Sequence, residues 1–138
     1  MGLFGGKKRN FDELSAATLY SRGIRYHKKK EYTEAFACFE QGAIKEDSDC
    51  QYNAGALLFS GRGVTEDKAK AAYWFEKAAE QGDVEAQNLL GQMYDKGDGI
   101  PQDKAKAEHC LLQAGENGHG GALLRAYELY DERKADSQ

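Results

Sequence analysis

The segment Gly61-Arg62-Gly63-Val64-Thr65-Glu66-Asp67-Lys68-Ala69-Lys70-Ala71 recurs as Gly97-Asp98-Gly99-Ile100-Pro101-Gln102-Asp103-Lys104-Ala105-Lys106-Ala107, 36 residues further on. A duplication of that period marks stacked supersecondary units, each too small to bury its own apolar face. The same register pairs Gly55 with Gly91, Tyr73-Trp74-Phe75 with His109-Cys110-Leu111, and Gln81-Gly82 with Asn117-Gly118. One step back, Ala35, Phe39 and Ala43 fall on Ala71, Phe75 and Ala79; one step forward, Ala122 falls on Ala86 and opens a final half-copy.

Within each copy the apolar spacing is helical. Ala71, Trp74, Phe75 and Ala78 follow i, i+3, i+4, i+7, as do Ala86, Leu89, Leu90 and Met93. No stretch alternates with period two for long enough to predict a strand. Asp67 and Asp103 stand where N-caps belong, and Gly82 and Gly118 where a left-handed residue ends a helix. The pattern predicts helix–turn–helix units with helices near 11–29, 31–46, 48–60, 67–81, 83–96, 103–117 and 119–134. The two glycines of each Gly-x-Gly turn permit positive φ at a sharp reversal. Val64 and Ile100 are expected to tuck between helices, and alanines at 71, 78, 79 and 107 to let backbones approach.

These residues resemble a known family. The run Ala54-Gly55, Phe59, Gly61, Gly63-Val64, Asp67, Lys70-Ala71, Trp74-Phe75, Lys77-Ala78-Ala79 and Gln81-Gly82 is similar to a Sel-one-like repeat, a relative of the tetratricopeptide repeat. Residues 86–118 resemble a second copy, departing at Cys110, Leu111 and Gly115. Residues 17–46, with Gly23, Tyr26, Ala35 and Phe39 but no Gly-x-Gly turn, resemble the plainer tetratricopeptide pattern. The resemblance implies an all-α, right-handed α-α superhelix of about three repeats (11–47, 48–82, 83–118) with a capping helix at 119–134. It also implies a concave face, lined by the first helix of each pair, that serves protein–protein contact without catalysis.

Carrying the tetratricopeptide surface positions onto this chain, counted from Gly23, Gly55 and Gly91, gives a candidate face. It comprises Tyr20, Ile24 and His27, then Tyr52, Asn53 and Ala56, then Asn88, Gln92 and Asp95, closing with Leu124, Arg125 and Glu128. Tyr52 and Leu124 compete for a place in the core instead. Rings supply apolar area and amides bond extended backbone, a combination suited to peptides. The Lys/Asn clamp that some tetratricopeptide proteins use for a terminal carboxylate is not reproduced, which argues against a chaperone-tail ligand.

Charge is uneven. Residues 1–30 hold eight Lys/Arg against two Asp/Glu, whereas residues 31–138 hold eleven against twenty-one. Lys7-Lys8-Arg9 and Lys28-Lys29-Lys30 suit phosphates or acidic lipids, yet no aromatic-studded basic sheet or recognition helix accompanies them, so nucleic acid is not expected. The start, Met1-Gly2-Leu3-Phe4-Gly5-Gly6, is too short for a signal or a membrane span, and Gly6 departs from the myristoylation pattern. Residues 1–10 are therefore expected to form a flexible basic arm, with membrane-surface attachment as the alternative function.

Catalytic patterns are missing. His109 and Cys110 are adjacent and diverge on a helix, and the Gly-x-Gly turns lack the third glycine of a dinucleotide fingerprint and the Gly-Lys-Ser/Thr of a P-loop. Gly97 and Gly99 stand where an EF-hand requires side-chain oxygens. The three cysteines match no zinc spacing. Register assigns them to packing, since Cys38, Trp74 and Cys110 are equivalent, as are Cys50, Ala86 and Ala122. The expectation is a cytoplasmic adaptor, not an enzyme, needing no cofactor or metal. It binds a protein or peptide and is a monomer or weak homodimer.

Overall fold

The computed structural model describes residues 13–138; the basic arm expected at 1–10 lies outside them. Among the described residues seven helices follow one another: α1 (Ala16–Lys28), α2 (Tyr32–Ile44), α3 (Ser48–Ser60), α4 (Lys68–Glu80), α5 (Val84–Lys96), α6 (Lys104–Glu116) and α7 (Gly120–Asp136). Each packs on its neighbours in sequence, which makes a helical-repeat solenoid, and no described residue forms a strand. Six helices match the expected spans closely. The exception is α1, expected from residue 11 but starting at Ala16, because the Ser15 side chain accepts the Thr18 amide and sets the N-cap.

Caps repeat with the sequence. Asp47, Asp67, Asp83 and Asp103 each accept the amide three residues on, from Cys50, Lys70, Ala86 and Lys106. At the seventh helix His119 takes this role, its Nδ1 accepting the Ala122 amide at 3.1 Å. Past the second helix of each pair the chain turns through Glu46, Gly82 and Gly118 at φ 66°, 94° and 105°. The first of these is a non-glycine held in a conformation that glycine adopts at no steric cost.

Packing between paired helices rests on one contact made three times. Phe39 lies on Gly23, Phe75 on Gly55 and Leu111 on Gly91, so closely that a Cβ at Gly55 would be 2.7 Å from Phe75 Cε1 and one at Gly91 2.6 Å from Leu111 Cγ. Phe39, Phe75 and Leu111 are fully buried, each worth about 1.5–3 kcal/mol against exposure. The three glycines are spaced by 32 and then 36 residues, because the α1–α2 connection lacks the long loop that follows α3 and α5. Those loops are not slack: a Cβ at Gly63 would collide with the Tyr32 carbonyl at the start of α2, and one at Gly99 with Lys68 at the start of α4. Val64 and Ile100 pack against the middle core, as expected.

An amide ladder ties the layers together. Gln51 donates to Ala43 O at 3.3 Å and accepts from Gln81 at 2.8 Å; one repeat on, Gln87 donates to Ala79 O at 3.2 Å and accepts from Asn117 at 3.2 Å. Gln51 and Gln87 are buried and Gln81 and Asn117 exposed, so each buried amide has its donor and acceptor satisfied by a backbone carbonyl and a surface partner. Position by position, bulk is traded across the repeats. Ala78 and Ala86 share one core cluster and Ala114 and Ala122 the next, but at the equivalent positions of the first copy Gly42 faces Cys50, whose Sγ occupies the room a methyl would need. Cys38, Cys50 and Cys110 are buried and form no disulfide, in agreement with packing roles.

Candidate functional site

The first helices of the pairs, α1, α3, α5 and α7, carry all the candidate surface positions, and the structure sorts them into two groups. At the N-terminal end Tyr20 leans on Phe39 with ring centroids 6.3 Å apart, and Tyr52 on Phe75 at 5.9 Å. Both tyrosines are half-buried, as are Ile24, which packs on the first core cluster, and His27, edge-on to Tyr32 at 5.3 Å. Asn53 spends its amide on Asp49 O at 2.7 Å, within its own helix. The competing core role is thus partly taken by Tyr52, whereas Leu124 is 62% exposed and takes none.

The charges that act on these two tyrosines are negative. Asp47 and Asp49 open α3, and Asp83 and Glu85 open α5. Burial raises the pKa values of Tyr20 and Tyr52, and Asp49 and Glu85 add to the rise. Asp49 itself is raised from its ordinary value by burial and then by Asp47 and Asp83.

The second group surrounds a pocket between α5 and α7. Asn88, Gln92, Asp95 and Arg125 line it, with Leu111 and Ala122 contributing apolar wall and His119 its edge, and its volume is 340 Å³. Asn88 and Asp95 are buried, at 7% and 8% exposure, so they form the wall and are not open surface; Gln92 is half-buried. Asp95 is a structural hub. Arg125 donates to it through Nε at 2.8 Å and Nη2 at 3.1 Å, and Lys104 Nζ lies 2.6 Å from Oδ1. The remaining guanidinium nitrogen of Arg125 reaches Glu128 and Glu132, each at 3.1 Å. The Arg125 hydrogen bonds, opposed by burial and helped by Lys104, hold the Asp95 carboxyl down to about 2 from its ordinary 3.8.

Sequence reasoning placed Asp95, Arg125 and Glu128 on one face but missed that they pair. Their separation across two repeats hid this, although in the preceding copy Lys68, the equivalent of Lys104, sits 4.8 Å over the Phe59 ring, the equivalent of Asp95. The amide ladder was missed as well. Its signal was present in the sequence, since Gln51 and Gln87, and Gln81 and Asn117, are one period apart.

The fold and this face together define an α-helical repeat scaffold. The chain belongs to the Sel1 repeat family, whose model matches residues 13–47, 48–83 and 84–119. The first copy, read from sequence as a plainer tetratricopeptide unit, is therefore also a Sel1 repeat, despite its short turn. Among solved structures the chain resembles c5321, a protective antigen present in uropathogenic Escherichia coli strains that displays an SLR fold. The TM-score is 0.78 at 29% identity, covering 88% of this chain and 27% of that one. It also resembles a Sel1 repeat protein from Oxalobacter formigenes, with TM-score 0.81 at 23% identity, covering 94% of this chain and 53% of that one. The chain thus spans about a quarter and about half of these two neighbours. No curated protein matches it in sequence. Sel1 repeat proteins generally act as protein-interaction scaffolds.

Proposed function

We propose that this chain is an adaptor that holds a segment of a partner protein against its first-helix face, centred on the pocket between α5 and α7. The observation that carries the reading is the convergence of Asn88, Gln92, Asp95 and Arg125 on one 340 Å³ cavity with a Leu111 wall. Such a mixture of apolar wall and fixed polar groups is what orients a bound segment. The Arg125–Asp95 pair holds the pocket's shape, and Gln92 offers donor and acceptor atoms to a ligand backbone. The three thiols are buried and form no disulfide, as a reducing compartment such as the cytoplasm would allow. Among the described residues no helix is long and apolar enough to cross a membrane.

The test uses a photo-crosslinking residue at Gln92 and, as a control, at Lys77 on a second helix. The adaptor reading expects one partner to crosslink from position 92, and Gln92→Ala and Tyr20→Ala to weaken its capture with little change in melting temperature. Asn88→Ala is unsuited to this purpose, since a buried residue confounds binding with folding. Capture that survives both substitutions but disappears on deleting residues 1–10 would assign function to the basic arm instead, and sedimentation with anionic liposomes would then separate lipid from protein.

A further inference from the structure

A second cavity lies away from the first-helix face. It opens between the second helices α4 and α6, over the floor made by α5, and has a volume of 460 Å³, within the usual range of ligand pockets, about 300–1,000 Å³. Its origin is visible in the repeat. One period earlier the corresponding space receives the Trp74 indole, which reaches from α4 across to the cluster formed by α2 and α3. At the equivalent position α6 carries Cys110, and the neighbouring Tyr73, stacked edge-on to Trp74 at 5.0 Å, is replaced by His109. Tyr94 stands in place of Leu58 and refills part of the volume, and the small walls are kept, Ala79 and Ala105 matching Ala43 and Ala69. What remains is a slot walled for an aromatic ring that this repeat does not supply.

One wall of the slot is charged. Glu76 and Glu80 of α4 are exposed, one helical turn apart, and take no part in the ion pairs of the described residues. Like charges at that spacing repel, and a cation placed between them relieves the repulsion. Across the slot Lys106 is already engaged, 5.4 Å over the Tyr94 ring. The field of Glu76 reaches across the slot to α6: burial first, and then that carboxylate, push the Cys110 thiol up to about 11.

We propose that this slot is a second docking site, which takes the aromatic side chain of a partner segment that also carries a lysine or arginine close to the ring. The ring fills the volume that Trp74 fills one repeat earlier, and the cation meets Glu76 and Glu80. The site is distinct from the α5–α7 pocket and stands whether or not that pocket binds a partner.

The experiment titrates the full chain, observed by amide NMR, with two probes sharing one ring. Tryptamine carries an ammonium, and indole-3-acetate a carboxylate. A synthetic peptide with one tryptophan followed by two lysines is then compared with the same peptide bearing alanine for tryptophan. Saturable shifts at Ala79, Tyr94, Ala105 and Cys110 are expected with tryptamine and with the tryptophan peptide. Indole-3-acetate should bind at least tenfold more weakly, and the alanine peptide should leave these amides unmoved. Cys110→Trp closes the slot from within, so the shifts should vanish in it while the melting temperature holds or rises. If that variant fails to fold, the paired change Glu76→Gln and Glu80→Gln, both on exposed positions, carries the test and should bring tryptamine to the level of indole-3-acetate. Equal binding of the two charged probes, unchanged binding to Cys110→Trp, or shifts located elsewhere would overturn the proposal.

Discussion

Leu123 occupies the room that a side chain at Gly115 would need: a Cβ there would lie 2.5 Å from the Leu123 Cβ. In the two earlier copies the same pair of positions holds Ala43 with Gln51 and Ala79 with Gln87, the alanine carbonyl accepting from the glutamine amide. At the last interface a polar rung has been exchanged for an apolar knob in a glycine hole. Gly115→Ala alone should therefore destabilise by about 1–3 kcal/mol through overpacking, less the gain of about 1 kcal/mol from helix propensity. Adding Leu123→Gln rebuilds the rung of the other copies and should recover part of the loss. Urea denaturation of the four members of this cycle checks the coupling; simple additivity would contradict the exchange.

Glycine positions differ in what they tolerate. Gly63 has φ 70° and no room for a Cβ against the Tyr32 carbonyl, whereas Gly82 has φ 94° and open space around it. Gly63→Val should cost the sum of backbone strain and collision, about 2–5 kcal/mol, and Gly82→Ala only the strain, about 1–2 kcal/mol. The opposite sign is expected at Glu46, which holds φ 66° where the other copies carry glycine. Glu46→Gly should raise stability by about 1 kcal/mol, the cost of holding a side chain in that conformation. Thermal melts of the three variants give the order.

Asp95 sets the acid limit of this interface. Its carboxyl titrates near 2 in the folded chain against an ordinary 3.8, so folding favours the charged form. The stabilisation is fully present above about pH 4 and is lost as pH falls through 2, amounting to about 2 kcal/mol. Asp95→Asn should abolish this part of the pH dependence and lower stability at neutral pH, because Lys104 and Arg125 lose their shared partner. Chemical denaturation between pH 2 and 6 measures both; identical acid slopes for the two proteins would exclude the assignment.

The thiols should be inert in the native state. Burial is the main cause that raises both Cys50 and Cys110, the second to about 11, and nucleophilic thiolate is correspondingly scarce at neutral pH. A disulfide reagent should label the three cysteines slowly until denaturant is added, with Cys110, the most exposed at 8%, reacting first. Rapid native labelling of Cys50, which is fully buried on Gly42, would contradict its packing role.

Local signals were legible in the sequence where the determinants lie within one repeat. The duplicated Gly-x-Gly turn, the Asp67 and Asp103 caps and the apolar stripe of α4 all report structure formed inside a single unit. What escaped was decided between units. Asn88 and Asp95 hold surface positions by counting along α5, but α6 and α7 cover them, and the lysine and arginine that neutralise Asp95 come from those helices. Leu124, counted to the surface with the core as its competing place, is exposed at 62%. The empty slot above Cys110 could be read only by comparing copies, as the loss of one large ring.

The contact of Gly63 with the first residue of α2, and of Gly99 with that of α4, has a mechanical consequence. Where a long side chain bridges two layers, the spacing between them can drift by rotamer changes. A loop with no side chain, pressed against the start of a helix, leaves no such freedom. Curvature along the first-helix face is then an inherited constant of the array, set before any ligand arrives. On the adaptor reading proposed above, a partner segment would conform to that face, and the entropy of ordering would fall on the partner.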